Sequence, residues 1–199
     1  MLNNLTIPIL SMLKPGDIVL DCGANVGDIT AVLAETGATV HAFEPDPYCF
    51  DELTKRFDAI NNVTLYNAAV GTSEGVVRLM RATNFEENPR GASVKSTIIS
   101  GGRKINEDDL IEVKLMNLLA FIDDVTKDGT NIAFLKMDIE GAELDLLEHM
   151  QAKKTFDVIR LTVAETHEHK FKELRPRFSK LRADIADQYP VTKVNLDWI

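Results

Sequence analysis

"VLDCGANVGDIT", residues 19–30, joins an apolar run to two glycines four positions apart and then to the start of a helical pattern. A strand that feeds a helix through glycines presents backbone N–H groups and a helix N-terminus at the carboxyl edge of a sheet, where open α/β sheets hold ligands. The chain on either side fits that reading. From Ile18 onward, short runs rich in β-branched residues alternate with segments whose apolar residues recur every three or four positions. That pattern means an α/β fold with a mostly parallel sheet. Strands are expected near residues 18–22, 39–44, 63–70, 132–138 and 157–165, and helices near 26–36, 47–58, 142–151 and 171–188.

Phe50, Leu53, Phe57 and Ile60 mark the core face of one helix, and Phe171, Leu174, Phe178, Leu181 and Ile185 that of the last, where Pro176 marks a kink or the true start. The terminal "VTKVNLDWI" reads as a closing strand. Residues 71–109 break the rhythm: "VVRLM" reads as a short strand, and the rest is polar and rich in Gly, Ser and Asn. A long irregular stretch of this kind is functional or disordered.

The 199 residues are 45% hydrophobic and 27% charged, as in one soluble domain with a substantial core. We divide them into a lead-in segment, 1–17, and a domain, 18–199. A net charge of -9 disfavours nucleic acid as a partner, because neutralising phosphates takes clustered Lys and Arg. No run approaches the roughly 20 apolar residues of a membrane span, and the N-terminal segment lacks a secretion pattern. Cys22 and Cys49 show neither metal spacing nor a disulfide framework, so a cytoplasmic location is expected. The sequence sets no oligomeric state.

Spacing limits the ligand of the glycine turn. A dinucleotide fingerprint needs glycines at relative positions one, three and six, but from Gly23 the later two are Asn25 and Asp28. A P-loop needs Gly-Lys-Ser/Thr, and "GDIT" has no lysine. The acids Asp21 and Asp28 suit a cationic ligand such as S-adenosylmethionine, and Gly23 and Gly27 would let the backbone lie against it. Glu44, in "HAFEPDP", falls about twenty residues beyond the first glycine, where a carboxylate can accept a ribose diol or merely cap the next helix. Asn67, in "YNAAVG", can meet an adenine edge with Ala68 and Ala69 leaving room for the ring, or can simply end a strand.

"VLDCGANVGDIT", "HAFEPDP", "NAAVG" and above all "LKMDIEGAELDLLE" resemble the FkbM-type S-adenosylmethionine-dependent methyltransferases, a branch of the class I methyltransferase fold. The resemblance implies a Rossmann-like, seven-stranded, mostly parallel sheet with an antiparallel last strand and helices on both faces. It implies methyl transfer to a hydroxyl of a small molecule, sugar or glycoconjugate. It also places Asp21, Gly23, Asn25 and Gly27 around the methionine part, Glu44 on the ribose, and Asn67 with Ala68 near the adenine. Ala24, Pro45 and Asp138 complete the candidate cofactor residues. Methylation of RNA or protein, or a non-catalytic cofactor-binding subunit, is the alternative.

Candidate chemistry gathers at two expected strand ends: Asp138 and Glu140 in "KMDIEG", and Glu165, His167 and His169 in "AETHEHK". Strand alternation would point Asp138 and Glu140 to one side, and Glu165 and His167 likewise. Asp138 is the first choice for touching cofactor and acceptor, and His167 or Glu165 for the base. In the plainer reading Glu140 and Glu143 serve a helix dipole, and the histidines are solvated. Three carboxylates and a histidine could instead coordinate magnesium or calcium; no residue is assigned to a metal. His41 and His149 read as structural. Residues 84–104 are the candidate lid or acceptor loop, with Arg90, Ser93 and Lys95 facing polar or anionic substrates.

Overall fold

The computed structural model describes residues 6–101 and 104–197. Six parallel strands form the main sheet: β1 (Ile18–Cys22), β2 (Thr39–Phe43), β3 (Val63–Tyr66), β7 (Ile132–Met137), β8 (Ile159–Ala164) and β9 (Val194–Asn195). Their spatial order is β3-β2-β1-β7-β8-β9. The chain therefore winds outward in one direction from β1 and in the other from β7. A crevice at the carboxyl ends of β1 and β7 is the expected ligand position in such a sheet.

β1, β7 and β8 are buried on both faces, which is why their sequences are mainly apolar, with Asp21, Lys136, Arg160 and Thr162 as the polar exceptions. Leu20, Cys22, Leu135 and Met137 face a core made with α5 (Leu118–Thr126), α6 (Glu143–Ala152) and α7 (Arg175–Gln188). On the opposite face Val19, Val40 and Phe134 meet Ile9 and Leu13 from the α1 (Thr6–Met12) region and Leu33 of α2 (Asp28–Glu35). Ala24 and Ala42 meet Leu53 and Phe57 of α3 (Pro47–Phe57). Cys22 is fully buried and burial raises its thiol pKa far above the usual value, in keeping with a small apolar filler. Among the described residues no helix is long and apolar enough to cross a membrane.

Several expectations change. The main sheet has six strands rather than seven, and the segment expected at 63–70 breaks at Asn67: the Ala68 N–H turns back to the Tyr66 carbonyl, and the chain leaves for a second sheet. That sheet orders β4 (Ala69–Gly71), β6 (Ile105–Asn117) and β5 (Gly75–Ala82), with β6 in the middle. The last strand is parallel, not antiparallel: Thr162 and Val163 pair in register with Val194 and Asn195, and only an isolated antiparallel bridge joins Glu165 to Asp197. The connection fits: α7 lies between β8 and β9, the helical crossover that parallel neighbours need. Trp198 and Ile199 of the expected closing strand lie outside the described residues.

Within residues 71–109, β5 pairs antiparallel with β6 across the long connection 83–104, and β6 with α5 occupies a stretch in which no element was expected. The final helix starts at Arg175 with Pro176 in its first turn, so the proline opens the helix rather than kinking it. Ile60 lies beyond α3 and is 40% exposed, not core.

Candidate active site

At the carboxyl ends of β1, β2 and β7 lies a cavity of about 370 Å³, within the range of small-molecule sites. Gly23 and Asn25, the β2-end residues Phe43, Glu44 and Pro45, and Ala68 and Ala69 line it. Asp138, Ile139, Glu140, Glu165 and Lys170 line it too, as do residues 93–98.

The glycine turn is built for packing as much as for a ligand. The Gly23 and Ala24 N–H groups both donate to the Phe43 carbonyl at 3.0 Å. Gly23 has φ 79°, and a Cβ there would stand 1.8 Å from the Asp138 carbonyl oxygen. Gly27 has φ 84°, and its Cβ would strike the Phe57 ring at 2.5 Å. Both glycines are required, but the space they spare belongs to β7 and α3, not to a ligand as the spacing argument expected. Gly27 does not line the cavity.

The two acids of the turn also have protein partners. Asp21 is fully buried and accepts from Thr30 Oγ1 at 2.7 Å. Its other oxygen lies 3.3 Å from Lys136 Nζ, which donates to the Gly23 carbonyl at 2.7 Å. Lys136, 4% exposed within an apolar strand, thus fastens the turn to β7 from behind. Asp28 is neutralised by Arg56 at 2.7 Å. Neither acid reaches the cavity, so the local charge that suggested a cationic ligand is answered within the protein.

Glu44 does reach it. Its Oε2 accepts from the Asn25 N–H and its Oε1 from the Asp46 N–H, each at 2.8 Å. Burial pushes its pKa up to about 7 against the lowering by those two N–H groups. Asp46, not Glu44, caps α3 by accepting from the Tyr48 N–H. The Asn67 side-chain amide donates to the Glu44 carbonyl at 2.9 Å, so it shapes the β2 end from behind while Ala68 lines the cavity.

The acidic side converges on one imidazole. His167 is 1% exposed. Its Nδ1 lies 3.0 Å from Glu143 Oε1, and its Nε2 lies 3.5 Å from Glu140 and Glu165 oxygens and 3.8 Å from Asp138. Burial lowers the ring's pKa, but the Glu140 and Glu143 carboxylates beside it outweigh that and raise the value to about 10. Asp138 and Glu165 line the cavity and His167 does not, which leaves the two carboxyls, rather than the imidazole, facing an acceptor. Burial raises the pKa of both carboxyls.

Strand alternation does not produce this convergence. β7 ends at Met137, and Glu140 sits in the left-handed region with φ 56°, strained for its residue type. Its carbonyl accepts from Thr97 Oγ1 at 2.6 Å and its carboxylate pairs with Lys170. Glu143, fully buried, turns back from the first turn of α6 to accept from the Ile139 and Gly141 N–H groups as well as facing His167. Sequence reasoning gave Glu143 only a helix-dipole role and missed Lys136, Lys170 and Thr97; a lysine inside the apolar run "IAFLKM" was the available signal.

Of the expected loop residues, Ser93 and Lys95 line the cavity and Arg90 does not. The Asn25 amide donates to Ser93 Oγ at 3.1 Å, and Ser96 Oγ donates to Asp46 at 3.2 Å. His169 packs 6.0 Å from the His167 ring and lies outside the cavity. His41 Nδ1 lies 3.0 Å from Tyr66 Oη and His149 Nδ1 2.7 Å from the Asp145 carbonyl, away from this site.

The family model described as the methyltransferase FkbM domain matches residues 21–188. The chain is 24% identical to the methyltransferase sdnD of Sordaria araneosa, over 95% of this chain and 80% of that protein. It is 26% identical to the hexuronic acid methyltransferase AglP of Haloferax volcanii, over 95% of this chain and 71% of that protein. It is 29% identical to the 31-O-demethyl-FK506 methyltransferase FkbM of Streptomyces tacrolimicus, over 78% of this chain and 67% of that protein.

Proposed function

Because the chain belongs to the FkbM methyltransferase family, we propose that it transfers a methyl group from S-adenosylmethionine to a hydroxyl of a small molecule, sugar or glycoconjugate. The observation that carries this reading is one cavity lined by Glu44, Asp138 and Glu165 together. A carboxylate has about four lone-pair sites. Glu44 spends two on backbone N–H groups, and the remaining two suit a ribose diol. Ala68 leaves room for a flat ring beside it. Gly23, Ala24, Asn25 and Pro45 complete the cofactor side, while Asp21, Gly27 and Asn67 hold that side in shape from behind.

When bound, the cofactor supplies a methyl carbon on a positive sulfur, which an in-line oxygen takes while the C–S electron pair stays on sulfur. The protein's share is positioning. Asp138 orients the acceptor hydroxyl and Glu165 takes its proton, with His167 holding the two carboxylates together. Lys95 lines the cavity with no ion-pair partner among the described residues, a cation suited to an anionic acceptor such as a hexuronate. Relatives named as hexuronic acid and 31-O-demethyl-FK506 methyltransferases support a sugar or other small-molecule acceptor.

The test is labelled-methyl transfer against a hydroxyl-rich acceptor set that includes hexuronic acid glycosides. Glu165→Gln should lower kcat by about 10²–10⁴-fold while S-adenosylhomocysteine still gives wild-type heat in calorimetry. No S-adenosylhomocysteine binding in the wild type would refute the reading, and unchanged turnover in the variant would refute the role given to Glu165.

A further inference from the structure

We propose that Asp138, Glu140 and His167 form a binding site for a divalent cation, with Glu165 as a further oxygen at its edge. Clustered acids alone would not support this. The separate observation is the imidazole: His167 is 1% exposed, and its buried Nε2 has no hydrogen-bond partner among the described residues. That nitrogen is aimed into the acids, 3.5 Å from Glu140 Oε1, 3.5 Å from Glu165 Oε1 and 3.8 Å from Asp138 Oδ1. One ligand atom from each of Asp138, Glu140 and His167 lies within 4.8 Å of the others. Neighbouring ligands of an octahedral ion at about 2.1 Å stand about 3 Å apart, so small inward movements close the shell.

The surroundings are built as a metal site's would be. Ligating histidines turn their second nitrogen to a carboxylate that fixes the ring, and Glu143 stands there at 3.0 Å, itself held by the Ile139 and Gly141 N–H groups. Lys170 takes Glu140 Oε2 and Lys136 lies 3.9 Å from Asp138 Oδ2, so the oxygens that face the ring are the free ones. Carboxylate oxygens select hard cations, and one imidazole moves the preference from calcium or magnesium toward Mn²⁺. Asp138, Glu140 and Glu165 also line the cavity, so an ion there would meet an acceptor hydroxyl and make its proton easier to remove. The ion's use in catalysis rests on the methyl-transfer reading; its binding does not.

The full chain, stripped with chelator and returned to chelator-free buffer, is titrated with MnCl₂ and free Mn²⁺ is followed by electron paramagnetic resonance. One saturable ion per chain is expected, with electron spin-echo modulation from a directly bound nitrogen. Glu140→Gln should abolish saturable binding, and Glu143→Gln should weaken it by about 10–100-fold. Absence of saturable binding or of the nitrogen signature in the wild type overturns the site without recourse to any variant, as does unchanged affinity in a folded Glu140→Gln protein. Calorimetry with S-adenosylhomocysteine on the same samples separates the two readings. Cofactor heat without Mn²⁺ binding overturns the cation site alone, whereas Mn²⁺ binding without cofactor heat supports it and removes only the methyl-transfer reading.

Discussion

Both oxygens of Glu44 hold a backbone N–H, yet the side chain is only 5% exposed and burial pushes its pKa up to about 7 from the usual 4.5. Asp46 adds to the rise, and Lys136 opposes it. A carboxyl whose pKa is higher in the folded chain than in the unfolded one is stabilised there in its protonated form. Its contribution to stability is therefore complete below pH 4.5 and is lost as the pH climbs to about 7. A ribose diol wants the opposite form, because only the ionised group accepts from both hydroxyls. Affinity for S-adenosylhomocysteine is expected to rise as the pH passes through about 7 while the stability of the unliganded protein falls as the pH approaches that value. Calorimetry and urea melts across that window measure the two slopes, and Glu44→Gln should flatten both. Parallel slopes, or an affinity slope that survives in Glu44→Gln, would show that another group titrates.

At the scale of elements, what could be read in the sequence depended on how many faces each element buries. β1, β7 and β8 have two covered faces and announce themselves as apolar runs, and α3 and α7 carry stripes. β6 has one solvent face, so Glu112 and Lys114 alternate with Val113 and Leu115, and its start "INEDD" looks like a loop. The site follows the same division. The identities of Asp138, Glu140, Glu165 and His167 stand in two short motifs, but their meeting depends on a left-handed Glu140 and on Glu143 turning back, which no periodicity encodes. The glycines were legible as necessary, though the reason lay in the packing of β7 and α3. The segment 93–98 is held by backbone hydrogen bonds between Thr97 and Met80 and by side-chain ties from Ser93 to Asn25, Ser96 to Asp46 and Thr97 to Glu140. Thr97→Val keeps the shape of a 3% exposed side chain but leaves the Glu140 carbonyl without this donor. Such a loss costs about 1–3 kcal/mol. Urea denaturation should register that cost, and limited proteolysis should cut faster within residues 84–104. A variant as stable and as resistant as the wild type would mean that the tie does not hold the segment.

For the molecule as a whole, the cavity belongs to neither sheet. Gly23, Glu44 and Asp138 stand at the carboxyl edge of the six-stranded sheet, whereas Ala69 of β4 and Leu79 of β5 bring the three-stranded sheet to the same space. Val70 of β4 packs within the main core, and Leu118, directly after β6, does so too. The two sheets should therefore unfold together, and a cofactor seated between them should stabilise both. Ligand binding to the native state alone adds about 2.7 kcal/mol at a hundred times Kd. For a chain of this size each kcal/mol moves Tm by about 2–4 °C, so S-adenosylhomocysteine at that level should raise Tm by roughly 5–11 °C. Differential scanning calorimetry provides the measurement. One transition is expected with and without ligand, its calorimetric and van't Hoff enthalpies equal. Two transitions, only one of them moved by the ligand, would show that the small sheet melts independently and that the cavity is formed by the main sheet alone.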